Sequence, residues 1–385
     1  MESPEVRAGV IQAPRVFVRP DEMEEEGAVP DHAARGPTLR VPAAALKVAY
    51  GVVALAAFIF ALELLKGGAA GAGTLLDKVS ADGALNLFGF GWLGAYAMLS
   101  GSPVAATALG LYSGGATSGT ETFAMINGSR FGASFIVLVV GFVYYVRHRR
   151  NPDGLYIGVV ALLTTFTVYT PSFLIGLIAL DQGWFDSVRT GAPPGLVSVT
   201  DSTVGALADK FDAALPSFVL FLLGAGVLVA SFQLFDQVLP NLEPPSPRLE
   251  RVLGFFHRPG TMFLLGGLVT LATLSVSISL TLLVPLSMKG IVRRHGIIPY
   301  VMGANITTFI DTLFAAVLLD TPRAVTIVVT QMFVTTAVSA VVLLLLLGPY
   351  QRAVLGLAHR LTANRRSFGL FLVTIVAVPA VLLFV

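Results

Sequence analysis

Long apolar stretches separated by short polar ones occupy the chain from residue 48 to its last residue. A bilayer core about 30 Å thick is crossed by roughly 20 apolar residues in a helix. Seven stretches have about this length and predict membrane-spanning helices: 48–65, 122–146, 155–180, 216–235, 297–319, 324–348 and 367–385. The pattern therefore predicts an all-α polytopic membrane protein.

Two further apolar stretches are interrupted by polar residues. Ser100-Gly101-Ser102-Pro103 divides the stretch 84–112, and Ser275-Val276-Ser277 divides the stretch 259–288. Each stretch is either one long span or a pair of half-helices that enter and leave the membrane on the same side. The second arrangement is a re-entrant hairpin, and the flanking charges discriminate between the two.

Basic loops stay on the cytoplasmic side of a membrane. If both interrupted stretches are re-entrant hairpins and the N-terminus is cytoplasmic, every basic loop lies inside and the acidic loop 183–215 lies outside. This arrangement predicts a multi-pass protein of the plasma (inner) membrane. The basic residues concerned are Arg147, Arg149 and Arg150; Arg248, Arg251 and Arg258; Lys289, Arg293 and Arg294; and Arg352, Arg360, Arg365 and Arg366.

The resulting topology contains an internal symmetry. Residues 47–182 form a first repeat with the hairpin 84–112, and residues 216–348 form a second with the hairpin 259–288. The two repeats have the same element order and opposite orientation, and 349–385 adds a basic loop and an extra span. Inverted-topology repeats, each with a re-entrant hairpin and an unwound span, are typical of secondary transporters. Accidental symmetry in an ordinary polytopic protein is the alternative.

The composition narrows the function further. Hydrophobic residues make up 55% of the chain and charged residues 12%, whereas soluble domains carry about 25% charged residues. The chain has no cysteine and a net charge of +2, which excludes disulfides and thiol–metal sites and gives no basis for a nucleic-acid partner. No nucleophile, zinc-ligand or phosphate-loop motif is present, so we expect no enzyme. The acidic segment 1–46 has no signal-peptide core and predicts a disordered cytoplasmic tail.

The two halves also match in sequence. Gly128 follows Ser102 by 26 positions, and Gly303 follows Ser277 by the same distance. Each half thus pairs a serine-bearing break with a glycine and polar patch inside a span, which favours duplication.

These residues resemble the type II sodium/phosphate cotransporter family. The similarity is closest from Leu274 to Thr308, where Pro285, Pro299 and Gly303-Ala304-Asn305-Ile306 fit the family pattern. In the first half, Met125-Ile126, Gly128, Gly132 and Ser134 correspond. The resemblance implies sodium-coupled phosphate uptake by alternating access, with both hairpins contributing ligands and no cofactor besides sodium.

The chain also departs from the family at its motifs. Leu99 and Leu274 occupy the positions of two glutamines, and Arg130 stands where the second half has Asn305. A channel, or a non-transporting membrane scaffold of the same fold, is the alternative function. Expected partners are phosphate or a related small anion, sodium and membrane lipid, and the interpretation allows a homo-oligomer.

Hydroxyl groups and carbonyls freed at helix breaks can bind small ions in a membrane. For the anion we expect Ser100, Ser102, Ser275, Ser277, Arg130 and Asn305. For sodium we expect Ser102, Ser277, Thr307, Thr308 and Asp311.

Arg130 and Asp311 are the two charges deep inside predicted spans. Intramembrane charges are costly and are usually functional or paired. Arg130 therefore binds the anion directly, forms a structural pair with Asp311, or replaces a sodium ion with its own fixed charge. The sequence leaves these three alternatives open.

Overall fold

The computed structural model describes residues 43–78, 83–147, 153–188, 201–238, 258–288 and 291–385. These residues are mostly helical and contain no strand. The predicted tail up to residue 42 and the basic residues Arg149, Arg150, Arg248, Arg251 and Lys289 lie outside them. The prediction of an all-α fold is confirmed for the described part of the chain.

The first half of the described chain contains α1 (Ala43–Lys78), α2 (Ala84–Met98), α3 (Ser102–Ser113), α4 (Gly119–Ala133), α5 (Phe135–Arg147) and α6 (Asp153–Asp181). A π-helical turn, Asp201–Gly205, then precedes α7 (Ala206–Ala214) and α8 (Ser217–Val238). The remainder contains α9 (Pro259–Thr273), α10 (Val276–Thr281), α11 (Leu283–Met288), α12 (Arg294–Thr307), α13 (Phe309–Leu318), α14 (Pro322–Val341), α15 (Leu347–Ala363) and α16 (Arg365–Leu382).

Within the part of the chain that the structure describes, seven helical segments are long and apolar enough to cross a membrane. They coincide with the seven predicted spans and indicate a multi-pass membrane protein. The segments are Leu46–Leu76, Gly119–Arg147, Asp153–Asp181, Ser217–Val238, Arg294–Leu318, Arg323–Ala363 and Arg365–Leu382.

The region after residue 348 differs from the predicted basic loop, because it is helical. α14 is followed by a π-helical turn, Val342–Leu346, and then by α15, so the helical segment Arg323–Ala363 has 41 residues, about twice the roughly 20 that cross a bilayer core. In α15, Val354 and Ala358 are buried while Arg352 and Arg360 are exposed. Burial at this helical spacing, opposite an exposed basic face, explains why the segment is an amphipathic helix.

Glycine permits the same close helix contact at two places. A Cβ atom at Gly128 in α4 would overlap the carbonyl oxygen of Phe88 in α2, and one at Gly303 in α12 would overlap that of Phe263 in α9. The second pair of positions lies 175 residues after the first. Small residues let helix backbones approach closely in membranes, where they favour association.

Each interrupted stretch contains a short break between helices: α2 and α3 flank the first, and α9 is followed by the two short helices α10 and α11 in the second. The break after α2 begins at Leu99 with φ 49°, and the break after α9 begins at Leu274 with φ 46°. A left-handed backbone costs an ordinary L-residue roughly 1–2 kcal/mol. The same conformation therefore recurs at two leucines that end helices, again 175 positions apart.

The glycine contact gives a direct stability test. Gly303→Ala should lower the free energy of unfolding by about 1–3 kcal/mol or more, because overpacking a tight contact forces the backbones apart. Gly226→Ala in α8 is the control, since no atom lies within 4 Å of a Cβ built there. Its stability should be unchanged or rise by up to about 1 kcal/mol. Thermal unfolding of the purified variants measures both, and equal effects would contradict the close-contact account.

Candidate functional site

The two helix breaks meet in the structure. The hydroxyl of Ser277, near the start of α10, donates a hydrogen bond to the carbonyl oxygen of Leu99 at 3.1 Å. Leu99 is the left-handed residue that ends α2, so its carbonyl belongs to the irregular backbone of the first break. Parts of the chain that are far apart in sequence therefore share one junction.

The start of α3 is anchored on α4 beside this junction. The helix begins at Ser102 with Gly101 as its N-cap. A Cβ atom at Gly101 would lie 2.7 Å from the carbonyl oxygen of Ser129, so glycine allows the approach. Ser102 is 6% exposed and Pro103 occupies the first turn, where a missing N–H costs nothing.

Arg130 is buried in α4 and points its guanidinium at α12 and α13. The side chain is 1% exposed. Its Nη1 donates to Thr308 Oγ1 at 3.3 Å, and its Nη2 donates to Thr312 Oγ1. The guanidinium carbon also lies 4.8 Å from the centre of the Phe309 ring, a distance at which a cation is attracted to an aromatic face.

Asp311 provides the opposite charge. Its Oδ1 lies 3.8 Å from Arg130 Nη2 and accepts a hydrogen bond from Thr312 Oγ1 at 2.8 Å. The Ser102 side chain also interacts with the Asp311 carboxylate. Among the described residues, Asp311 Oδ2 and Arg130 Nε are buried without a hydrogen-bond partner. The site therefore balances its charges but leaves one donor and one acceptor unused.

Other predicted ligands serve the packing of nearby helices. The Asn305 side chain donates from Nδ2 to Thr165 Oγ1 at 3.1 Å, and the backbone carbonyl oxygen of Asn305 accepts from the Tyr169 hydroxyl at 2.7 Å. Thr307 Oγ1 bonds to carbonyls of its own helix, those of Gly303 at 3.3 Å and Ala304 at 3.4 Å. Neither side chain joins the cluster around Arg130.

The remaining predicted residues lie at the breaks themselves. Ser275 caps α10, since its Oγ accepts from the backbone N–H of Ile278 at 3.3 Å. Ser100 is half-buried in the first break. Of the predicted ligands, the structure thus gathers Ser102, Arg130, Thr308 and Asp311 at one place and puts Ser277 at the junction of the breaks.

Sequence reasoning missed Thr312, which binds both Arg130 and Asp311. Its position one residue after an intramembrane acid was the available signal. Gln331 in α14 exchanges hydrogen bonds of 2.7 and 2.8 Å with Asn127 in α4. Both amides are fully buried, so this reciprocal pair ties α4, which carries Arg130, to α14.

An apolar cavity of about 380 Å³ reaches the site from the side of α1 and α8. Its wall contains four phenylalanines, two carboxylates and the break residue Leu274. The residues named are Phe58, Phe232, Phe235, Phe314, Asp236 and Asp311. Asp311 lines this cavity, and the exposed side chains of Leu274 and Phe314 in its wall show that it opens to the protein surface.

The cluster offers hydroxyl oxygens, one carboxylate and one guanidinium. Among the described residues, no group of three or more histidines and acids could hold a metal ion. No protein-family model, curated protein or solved structure matches the chain.

Proposed function

We propose that the protein is a secondary transporter that moves inorganic phosphate or a related small anion by alternating access. The observation that carries the proposal is the hydrogen bond between Ser277 and the Leu99 carbonyl, which joins two helix breaks among helices apolar enough to span a membrane. Non-helical backbone at membrane depth is tolerated where protein or an aqueous cavity satisfies its polar groups. In transporters such breaks bind the substrate and the coupling ion.

The duplicated geometry supports the finer architecture of this proposal. The two glycine contacts and the two left-handed leucines recur at one constant spacing. Inverted-topology repeats with a re-entrant hairpin in each would place the recurring contacts on opposite sides of the membrane midplane. Rocking of one repeat against the other would then expose the junction to each side in turn.

The first break also has the donors that an anion needs. Helix N-termini present free N–H groups and a positive dipole end, and α3 begins at this break with Ser102. The Ser277 hydroxyl lies at the same junction, where it donates to the Leu99 carbonyl and could exchange that partner for an anion. We propose this junction, rather than the guanidinium of Arg130, as the first contact for the anion, because Ser277 is half-buried whereas the Arg130 side chain is only 1% exposed.

Sodium coupling has weaker support than anion transport. Three of the predicted sodium ligands, Ser102, Thr308 and Asp311, surround or adjoin Arg130, and Thr307 bonds to its own helix. Ser277 and the Leu99 carbonyl are the oxygens that are left for a mobile cation at the junction.

Counterflow of labelled phosphate in proteoliposomes tests the transport proposal. Vesicles loaded with unlabelled phosphate should transiently accumulate labelled phosphate. Ser277→Ala should reduce the apparent affinity about 2–10-fold, because one hydrogen bond contributes roughly 0.5–1.5 kcal/mol. Ser231→Ala is the control, since the Ser231 hydroxyl donates to the carbonyl of Leu228 in its own helix at 2.7 Å.

Two results would contradict the proposal. Ion conductance without counterflow would make the protein a channel. No movement of phosphate or sulfate through well-folded protein would favour a non-transporting scaffold.

The hairpin topology has its own test, since the chain contains no cysteine. Single cysteines at Asp82 and Ala116, on either side of the first hairpin, should react with a membrane-impermeant maleimide from the same face of the membrane. A cysteine at Arg147 should react from the other face. Labelling of positions 82 and 116 from opposite faces would show that the stretch crosses the membrane and that the inverted-repeat model is wrong.

A further inference from the structure

The guanidinium of Arg130 lies in an environment made of oxygen atoms. Thr308 Oγ1 and Thr312 Oγ1 accept its hydrogen bonds, and Asp311 Oδ1 lies 3.8 Å from Nη2. Oxygen atoms are the ligands that small hard cations take in proteins. Thr308 lies at the boundary between α12 and α13, within the helical segment Arg294–Leu318.

From this placement we infer that Arg130 is a built-in cation, which permanently fills a position where a coupling sodium ion would otherwise bind. Arginine does not lose its proton in proteins, so the positive charge is always present. The charge belongs to the chain and cannot leave during a transport cycle. This inference rests on the proposed function only in that a secondary transporter uses a coupling cation.

The position of Arg130 in the duplicated geometry supports the inference. Arg130 and Asn305 are 175 residues apart, the spacing that relates the paired glycines and the paired leucines. Asn305 is neutral and bonds to Thr165. The first half therefore contributes a cation where the second contributes an amide, and the acid that balances it, Asp311, comes from the span of Asn305.

The energetic argument concerns Asp311. A buried carboxylate without a counter-charge is strongly destabilising, and removing one partner of a buried ion pair leaves such a charge behind. If Arg130 becomes neutral, the oxygens of Thr308, Thr312 and Asp311 remain, together with the negative charge. A sodium ion in that space would restore both the coordination and the charge balance.

Arg130→Gln tests this directly, because glutamine keeps much of the side-chain volume and removes the charge. Thermal unfolding of the purified proteins is measured in sodium, potassium and choline chloride at equal ionic strength. The wild type gives the baseline response to the three salts, including any cation held at the junction of the breaks, and the variants are compared with it. Arg130→Gln should be stabilised selectively by sodium, by roughly 5 °C near saturation, as expected when a ligand binds only the folded state.

Two matched variants define the origin of the effect. Arg130→Gln combined with Asp311→Asn removes both charges and should lose the sodium response. Arg294→Gln breaks the exposed ion pair with Asp153, whose atoms are 2.8 Å apart, and should show no preference for sodium. A sodium response that persists in the double variant would place the ion elsewhere and overturn the inference.

The inference is also overturned if Arg130→Gln unfolds at the same temperature in sodium as in potassium or choline. Failure to recover the folded variant in any of the three salts would overturn it too. Because the readout is stability, it is separate from transport. If sodium selectively stabilises Arg130→Gln but the wild type shows no phosphate counterflow, the cation site stands and the proposed transport is refuted. If the wild type shows counterflow but sodium does not stabilise Arg130→Gln, the proposed transport stands and the cation site is refuted.

Discussion

The buried positive charge of Arg130 is the constraint on which the arrangement of the site depends. The guanidinium is almost inaccessible, and leaving it unbalanced among apolar helices would be prohibitively costly. Asp311 supplies the counter-charge, while Thr308 and Thr312 accept the directed hydrogen bonds. Satisfying this one group fixes α4 against the junction of α12 and α13, and the Ser102 contact with Asp311 adds the start of α3.

Close backbone packing makes this electrostatic arrangement possible. Gly128 lets α2 approach α4, and Gly303 lets α9 approach α12. The two helix pairs that border the breaks are therefore in direct backbone contact. The leucines at the ends of α2 and α9 have left-handed backbones, a conformation that commonly ends a helix but that is unfavourable for residues other than glycine. The hydrogen bond from Ser277 to Leu99 then joins the two breaks.

The spans could be predicted because hydropathy and length dominate helix formation in a membrane, and the breaks because serine, glycine and proline interrupt apolar runs. The helix at 347–363 escaped prediction because its polar face resembles a loop in composition. The rule that intramembrane charges are functional or paired made the pairing of Arg130 with Asp311 one of three alternatives, and the structure shows the two side chains close together. The roles of Asn305 and Thr307 did not follow, because a hydroxyl or amide bonds equally well to a neighbouring helix or to its own carbonyls, and only packing decides which. Nothing in a leucine side chain signals a left-handed backbone.

A double-mutant cycle on Arg130 and Asp311 tests the dependence of the site on this charge pair most directly. The account predicts that Arg130→Met and Asp311→Leu each lower the free energy of unfolding by about 3–5 kcal/mol, because each leaves one charge buried alone. The double variant should recover to within about 1 kcal/mol of the wild type, since an apolar pair can replace a buried ion pair. Additive losses in the double variant, with no coupling energy between the two sites, would contradict the account.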